Sequence, residues 1–113
     1  MKVLIRTAAR ADILRQYAYY LDEKDAPAAG QRFLDAVESA IDALCRMPGM
    51  GAPRQFVNPR LAGLRSWHVS GFPAMRIYYI HSRDVIRIVR VLHGKRDVRL
   101  LFESDSGDDE EEA

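Results

Sequence analysis

The sequence predicts an α+β domain in which an antiparallel helical hairpin packs on one face of a mainly antiparallel four-stranded sheet. Three observations support this. The chain opens with a β-rich run, KVLIR, continues with two stretches whose apolar residues recur at helical spacing, and then carries three β-rich runs separated by short polar turns. The predicted order is β-α-α-β-β-β, and a length of 113 residues corresponds to one domain.

Two amphipathic helices are predicted in the first half of the chain, over about residues 8–23 and 26–46. The hydroxyl of Thr7 can cap the first helix, and Pro27 suits the first turn of the second. The link between the helices is short, so they should pack side by side as a hairpin. Their apolar faces predict a core that contains Ile13, Tyr17, Leu21, Phe33, Val37, Ile41 and Leu44.

Four strands are predicted, at residues 2–6, 64–69, 74–80 and 85–93, and a loop rich in proline and glycine covers residues 48–63. Alternation in the last strand places apolar residues on both faces of the sheet. The two sets are Val85, Val89 and Val91, and Ile86, Ile88 and Leu92. Because the hairpin covers only one face, we expect an apolar strip flanked by arginines on the other, as at many binding sites.

The formal net charge of +1 conceals a basic body and an acidic tail. Residues 103–113 contain seven acids and no base, whereas residues 46–102 contain eleven bases and two acids. Fourteen of the seventeen bases are arginine, which suits two-point contacts with carboxylates or phosphates, so we expect an anionic partner. The tail has few apolar residues and repels itself. The predicted division is a folded domain over residues 1–102 and a disordered acidic tail over residues 103–113.

The sequence disfavours several classes of protein. The single Cys45 cannot form an internal disulfide, and no metal-ligand spacing occurs near it, so we expect no metal and no cofactor. The N-terminal apolar run is too short for a secretory signal, and no segment reaches the ~20 apolar residues of a membrane span. The expected location is the cytoplasm, without membrane contact.

A set of local sequence features follows a fixed order along the body of the chain. The first half carries Ala9, Asp12, Ile13, Tyr17, Ala28, Ala29, Arg32, Phe33, Ala40, Ile41, Leu44, Pro48 and Gly51. The second half carries Leu64, Arg65, Val69, Gly71, Phe72, Tyr78, Tyr79, Val91, Leu92, His93, Gly94, Arg96 and Asp97. In this order the set resembles the ParE/RelE toxin superfamily, and in particular its ParE branch. The acidic tail has no counterpart in that pattern.

The resemblance implies a toxin of a type II toxin–antitoxin pair, neutralised by a ParD-like antitoxin with an acidic segment that folds on binding. ParE members inhibit DNA gyrase by binding and are not known as enzymes, whereas RelE members cut messenger RNA on the ribosome. We expect gyrase inhibition, with no sequence-specific binding of nucleic acid by the toxin alone. A RelE-like ribonuclease and a degenerate, non-toxic interaction module are the alternatives.

The two activities require different sites. RNA cleavage needs groups that move protons and stabilise a crowded phosphorane. The candidates for that chemistry are Arg65, Arg76, Arg90 and His93, with a phenol from Tyr78 or Tyr79. No acid lies between Gln55 and Arg83 to act as a base, so the residues favour binding over catalysis.

A docking surface is predicted at and beyond the last strand, where charged residues alternate with apolar anchors. The residues expected to contact the target are His93, Lys95, Arg96, Arg99, Leu100 and Phe102. Those expected to contact the antitoxin are Arg65, Arg76 and Arg90.

Overall fold

A computed structural model describes residues 1–107 and 110–113 of the chain. Its elements are β1 (Lys2–Arg6), α1 (Thr7–Asp22), α2 (Pro27–Arg46), β2 (Ala52–Pro53), β3 (Arg65–Val69), β4 (Phe72–Ser82), β5 (Val85–His93), α3 (Arg99–Glu103) and β6 (Glu110–Glu112). One sheet contains the strands in the order β2-β3-β4-β5-β1-β6. Only the β1–β5 pair among the described strands is parallel.

The α+β class and the helical hairpin on a mainly antiparallel sheet are confirmed. The four predicted strands correspond to β1, β3, β4 and β5, and the strand count was too low by the two short edge strands β2 and β6. Two and three residues long, these edge strands carry too little periodicity to be found in a sequence. In the described part of the chain, no helix combines the length and the apolar character that crossing a membrane requires.

The helix boundaries lie close to the predicted ones. α1 begins at Thr7 with Arg6 in the N-cap position, so Thr7 is the first helical residue and not the cap. Pro27 occupies the first turn of α2, where its missing N–H leaves no hydrogen bond unmade. The four-residue link between the helices includes Asp25 at φ 47°, a left-handed conformation that reverses the chain tightly.

The core under the hairpin depends more on α2 than on α1. Phe33, Val37, Ile41 and Leu44 of α2 are buried, as predicted. The predicted α1 residues Ile13, Tyr17 and Leu21 are only half-buried, whereas Ala9 and Asp12 are the buried residues of that helix. The predicted apolar face of α1 is therefore rotated away from the face that contacts the sheet. The sequence did not reveal the true face, because its two buried residues are a small alanine and a charged aspartate.

A second apolar cluster covers the opposite face of the sheet. Its buried residues are Leu61, Leu64, Tyr78, Ile80, Val89, Leu92, Val98 and Phe102. The ring of Phe102 lies 5.0 Å from that of Tyr78 and 5.0 Å from that of Phe56, centroid to centroid. The chain's own α3 and the segment before β3 thus cover the strip that the sequence predicted to be exposed, and that expectation was wrong.

A β-bulge divides the apolar residues of β5 between the two clusters. The pairing register shifts between Tyr78 and Tyr79, where β5 carries one extra residue, Val89. An extra residue reverses the alternation of the strand beyond it. Val91 therefore packs under the helices and Leu92 on the opposite face, the reverse of the predicted assignment.

A buried ion pair connects α1 to β5. The Asp12 side chain is 1% exposed, and its oxygens accept hydrogen bonds from Arg90 Nε at 2.7 Å and Arg90 Nη2 at 2.8 Å. The backbone N–H of Val91 donates to the same carboxylate at 3.0 Å, and Arg15 Nη1 donates at 3.3 Å. With these donors the carboxylate has exchanged its water for fixed protein partners.

The described part of the tail is paired with the body, which differs from the disorder expected for residues 103–113. Glu110–Glu112 form a strand against β1, and Glu103 ends α3. Arginines that neutralise tail carboxylates remove the self-repulsion on which the disorder prediction depended. Asp108 and Asp109 lie outside the described residues. The domain boundary after residue 102 stays a prediction.

The packing of α3 gives a first test. Phe102→Ala should lower the free energy of unfolding by about 3–5 kcal/mol, because Phe102 is 1% exposed and its removal leaves a cavity. Leu100→Ala, two residues away on the same short helix, should change it by less than about 0.5 kcal/mol because Leu100 is 76% exposed. Urea unfolding followed by circular dichroism measures both. Equal, small effects would mean that α3 does not cover the sheet.

The ion pair gives a second test. Asp12→Ala leaves the Arg90 guanidinium without its buried carboxylate and should cost about 3–5 kcal/mol in the free energy of unfolding. Arg15→Ala serves as the control, since Arg15 contacts the same carboxylate but its side chain is 70% exposed. That control should cost less than about 1 kcal/mol. A small effect of Asp12→Ala would show that α1 does not depend on the pair.

Candidate functional site

An exposed, basic stretch of chain follows β5. We call it the C-terminal basic surface and define it as His93, Lys95, Arg96, Arg99 and Leu100, all of which are exposed. These are five of the six residues predicted to contact the target. The sixth, Phe102, is buried in the second apolar cluster, so its predicted role as a surface contact is contradicted in this structure.

The local chain geometry explains this division. The backbone N–H of Gly94 donates to Ala74 O at 2.6 Å, which extends the β4–β5 pairing by one residue at the open end of the hairpin. Val98 then turns inward and is 6% exposed, and Asp97 Oδ1 accepts a hydrogen bond from the backbone N–H of Arg99 at the start of α3. Because Val98 is anchored in the core, the basic residues on either side of it are fixed on the outside.

The surface continues onto α1 next to His93. A shallow cavity of about 100 Å³ lies there, and its walls include Arg15, Gln16, Met75, His93 and Arg96. Asp12 also lines this cavity, but its carboxylate accepts hydrogen bonds from Arg90 and Arg15. An imidazole and two exposed guanidinium groups beside the end of β5 suit the binding of an anionic surface.

The three arginines predicted for catalysis or antitoxin contact do not form one cluster. Arg65 Nη1 donates to Gly51 O at 2.7 Å, and Arg76 Nη1 donates to Pro73 O at 2.7 Å. Arg76 lies opposite His68 in the sheet, three residues along β3 from Arg65, which is a separation of about 10 Å along the strand. Each guanidinium is therefore engaged with a different part of the backbone, and Arg90 with a carboxylate.

The predicted phenols are inside the protein. Tyr78 is 1% exposed and Tyr79 is fully buried. The Tyr79 hydroxyl donates to Pro48 O at 2.7 Å and accepts from the Gly51 N–H at 2.9 Å. Burial raises the pKa of Tyr79 above its usual value of 10.0, and the Gly51 hydrogen bond and the charge of Arg65 lower it by less. The phenol is therefore protonated at neutral pH and cannot act as a base.

The hydroxyl of Tyr79 instead holds the loop that follows α2. A side chain at Gly51 would begin 2.5 Å from this oxygen, so only glycine fits beneath the tyrosine. Arg65 binds the same loop through Gly51 O and Gly49 O. The fold of the loop thus explains why Gly51, Arg65 and Tyr79 occur at these positions.

Two features of the surface were missed by sequence reasoning. Arg6 and Arg87 bind carboxylates of the tail, and Asn58 anchors the start of that tail. The opposite charges of these arginines and the tail could have indicated that the tail binds this part of the sheet. The sequence does not show which arginine pairs with which carboxylate. In the part of the chain that the structure describes, no group of His, Cys, Asp or Glu side chains could hold a metal ion.

The fold and the sequence both match known toxins. The family model for "ParE toxin of type II toxin-antitoxin system, parDE" matches residues 3–98. A solved structure of the "Chromosomal ParDE TA system from P. aeruginosa" is 18% identical with a TM-score of 0.65, covering 82% of this chain and 95% of that chain. The "YoeB/ParE toxin from Agrobacterium tumefaciens" is 16% identical with a TM-score of 0.54, covering 82% and 98%.

At these identities the two structures show a shared fold, and no curated protein sequence matches the chain. The family assignment therefore rests on the family model, which spans most of the folded body. It agrees with the resemblance indicated by the local sequence features that follow a fixed order along the chain. The chain belongs to the ParE toxin family of type II toxin–antitoxin systems.

Proposed function

We propose that this toxin inhibits DNA gyrase by direct, non-catalytic binding in the cytoplasm, and that a ParD-like antitoxin neutralises it. The observation that carries the proposal is the C-terminal basic surface, a short segment in which His93, Lys95, Arg96 and Arg99 are exposed together with an apolar residue, Leu100, which is 76% exposed. An exposed leucine in a segment rich in exposed cations has the composition of a docking surface, since apolar anchors supply affinity and nearby charges supply orientation.

The geometry supports binding over RNA cleavage. A ribonuclease of the RelE kind needs several cations around one phosphate and a group that transfers a proton. Here Arg65 and Arg76 are separated along the sheet, Arg90 is paired with Asp12, and Tyr79 is buried and protonated. His93 is the one exposed titratable group among the proposed catalytic residues, and a single imidazole does not supply both an acid and a base.

An acidic antitoxin segment suits the basic half of the chain. Residues 46–102 carry eleven bases and two acids, so association with an acidic partner should be accelerated by long-range attraction. Arg65 and Arg76 are half-buried, and the hydrogen bonds described for them come from Nη1. We assign these two arginines to antitoxin contact, and we assign Arg90 the task of holding α1 in position.

Gyrase inhibition is tested in a supercoiling assay with the antitoxin-free protein. Arg96→Gln combined with Arg99→Gln should raise the concentration for half inhibition by about tenfold, because docking surfaces concentrate their affinity in a few residues. Arg83→Gln is the matched control. It removes one exposed arginine from the turn before β5, about 26 Å along the strand from His93, and should leave inhibition unchanged.

The same preparation should leave ribosome-bound messenger RNA intact. RNA cleavage that is lost in His93→Ala, together with supercoiling that is never inhibited, would replace the gyrase assignment with the ribonuclease alternative. Folded protein that affects neither process at high concentration would indicate a non-toxic interaction module.

Antitoxin binding is tested by stopped-flow kinetics with a purified ParD-like partner. Arg65→Ala and Arg76→Ala should each slow association several-fold at low salt and flatten its salt dependence, because charges at an interface mainly set the association rate. Arg83→Ala controls for the loss of one positive charge. Association rates equal to wild type at low salt would remove these two arginines from the antitoxin interface.

A further inference from the structure

The β1 edge of the sheet is occupied by the chain's own C-terminal end. β6 runs antiparallel to β1, with Glu112 opposite Leu4 and Glu110 opposite Arg6. The backbone N–H of Ala113 donates to Val3 O at 2.9 Å, which continues the ladder past the last glutamate. The edge is thus shown to accept an extended acidic strand.

Arginines beside this strand bind its carboxylates. Arg87 Nε donates to both oxygens of Glu110, at 2.9 and 2.8 Å, and Arg6 Nη1 donates to Asp105 Oδ2 at 3.0 Å. Arg60 lines the same open cavity of about 450 Å³ as Arg6 and Arg87, and we call these three residues the edge arginine site. The Arg87 and Glu110 side chains are 31% and 24% exposed, so solvent screens their attraction only in part.

The start of the tail is fixed independently of this edge. Asn58, which is 8% exposed, donates from Nδ2 to Phe102 O at 2.8 Å and to Asp105 O at 2.9 Å. These bonds hold the chain where it leaves α3. The strand at residues 110–112 can therefore leave β1 while α3 stays packed on the sheet.

The tail matches only part of the surface beside β1. An open groove of about 460 Å³ lies on the helix side of this edge, and its apolar walls are Val3, Ile5, Ile13, Leu34, Val37 and Ile41. Ile5, which lines this groove, is paired with position 111 in the observed register. The sequence of the tail has glutamate at residues 110, 111 and 112, so this strand brings no apolar residue to the groove.

A better occupant would be an acidic–apolar–acidic strand. Its outer carboxylates would meet the edge arginine site, and its middle side chain would enter the groove, where burying an apolar group is favourable and burying an unpaired carboxylate is costly. The tail also ends in a weak contact, since Lys2 and Glu112 are 3.9 Å apart and their side chains are 52% and 66% exposed.

We infer that the β1 edge, the edge arginine site and the adjoining groove form a binding site for an extended acidic peptide, and that the acidic tail is a built-in competitor that a partner strand displaces. The tail masks the arginines and the open strand edge while the toxin is alone, which limits unspecific pairing. The inference rests on the proposed function only for the source of the partner strand, an acidic segment of the antitoxin.

The pairing of β6 favours a peptide over a nucleic acid. The contacts at this edge include backbone hydrogen bonds from one strand to another, and a nucleic acid has no such ladder to offer. The contacts described for Arg6 and Arg87 also go to carboxylates, those of Asp105 and Glu110. The site thus combines main-chain recognition with charge recognition.

Fluorescence anisotropy with the full-length protein tests the inference. The probe is a labelled peptide with the sequence of residues 104–113 in which valine replaces the glutamate at position 111. Asp105→Asn combined with Glu110→Gln weakens the competing tail and should tighten peptide binding by about tenfold over wild type at low salt. Adding Arg87→Gln to that variant should return binding to the wild-type level or below.

The control changes net charge by the same amount elsewhere. Asp22→Asn combined with Glu23→Gln changes two exposed residues at the end of α1 and should leave peptide affinity within twofold of wild type. The melting temperature of every variant should stay within a few degrees of the wild-type value. Unchanged affinity in the Asp105 and Glu110 variant, or no effect of Arg87→Gln, would overturn the site. Tighter binding of a single-stranded RNA oligonucleotide without tighter peptide binding would reassign it to nucleic acid. No gyrase enters this assay, so its failure is separate from failure of the proposed function.

Discussion

The position of α1 depends on one buried ion pair, Asp12 with Arg90. Ala9 and Asp12 are the buried residues of this helix, and its half-buried Ile13 and Tyr20 pack against the core. The carboxylate adds two hydrogen bonds from Arg90 and one from the Val91 N–H, which together set the height and rotation of the helix on β5. Burying such a pair costs desolvation energy that good geometry offsets, and losing one partner costs far more than replacing both.

The pair is also linked to the bulge in β5 and to the surface that follows. The extra residue at Val89 changes the alternation of the strand, so that Val91 packs under the helices while its backbone N–H binds Asp12. Leu92 then packs on the opposite face with Val98, which anchors the chain before α3. The exposed residues between these anchors are held in place by a core on each side of the sheet.

Much of the fold could be predicted because it follows from local patterns. The α2 core residues Phe33 and Leu44 and the four main strands are encoded by periodicity and by turn residues. The position of Arg90 could not be predicted, since its partner is 78 residues away and a basic residue on a strand normally indicates a surface. The bulge and the packing of Phe102 depend on tertiary contacts that no local pattern carries, and the pairing of the tail depends on complementary charges whose register is set by the sheet.

For the candidate site, the sequence predicted which segment is exposed and basic, but it could not separate surface arginines from structural ones. Arg65, Arg76 and Arg90 look alike in the sequence, yet in the structure Arg65 binds a loop carbonyl, Arg76 binds carbonyls of its own strand and Arg90 binds a buried carboxylate. Chemical type alone predicts charge, whereas function depends on which charges are already used by the fold. We propose that Arg90 supports the fold and takes no part in the activity.

That claim is tested most directly by neutralising both members of the pair. Asp12→Asn with Arg90→Gln removes both charges and keeps a carbonyl oxygen near the Val91 N–H, so the double variant should fold, which circular dichroism and thermal melting would verify. Supercoiling assays on the folded double variant then give the answer. If Arg90 only supports the fold, the double variant inhibits gyrase at the same concentration as wild type. A double variant that folds normally but no longer inhibits gyrase would contradict this role.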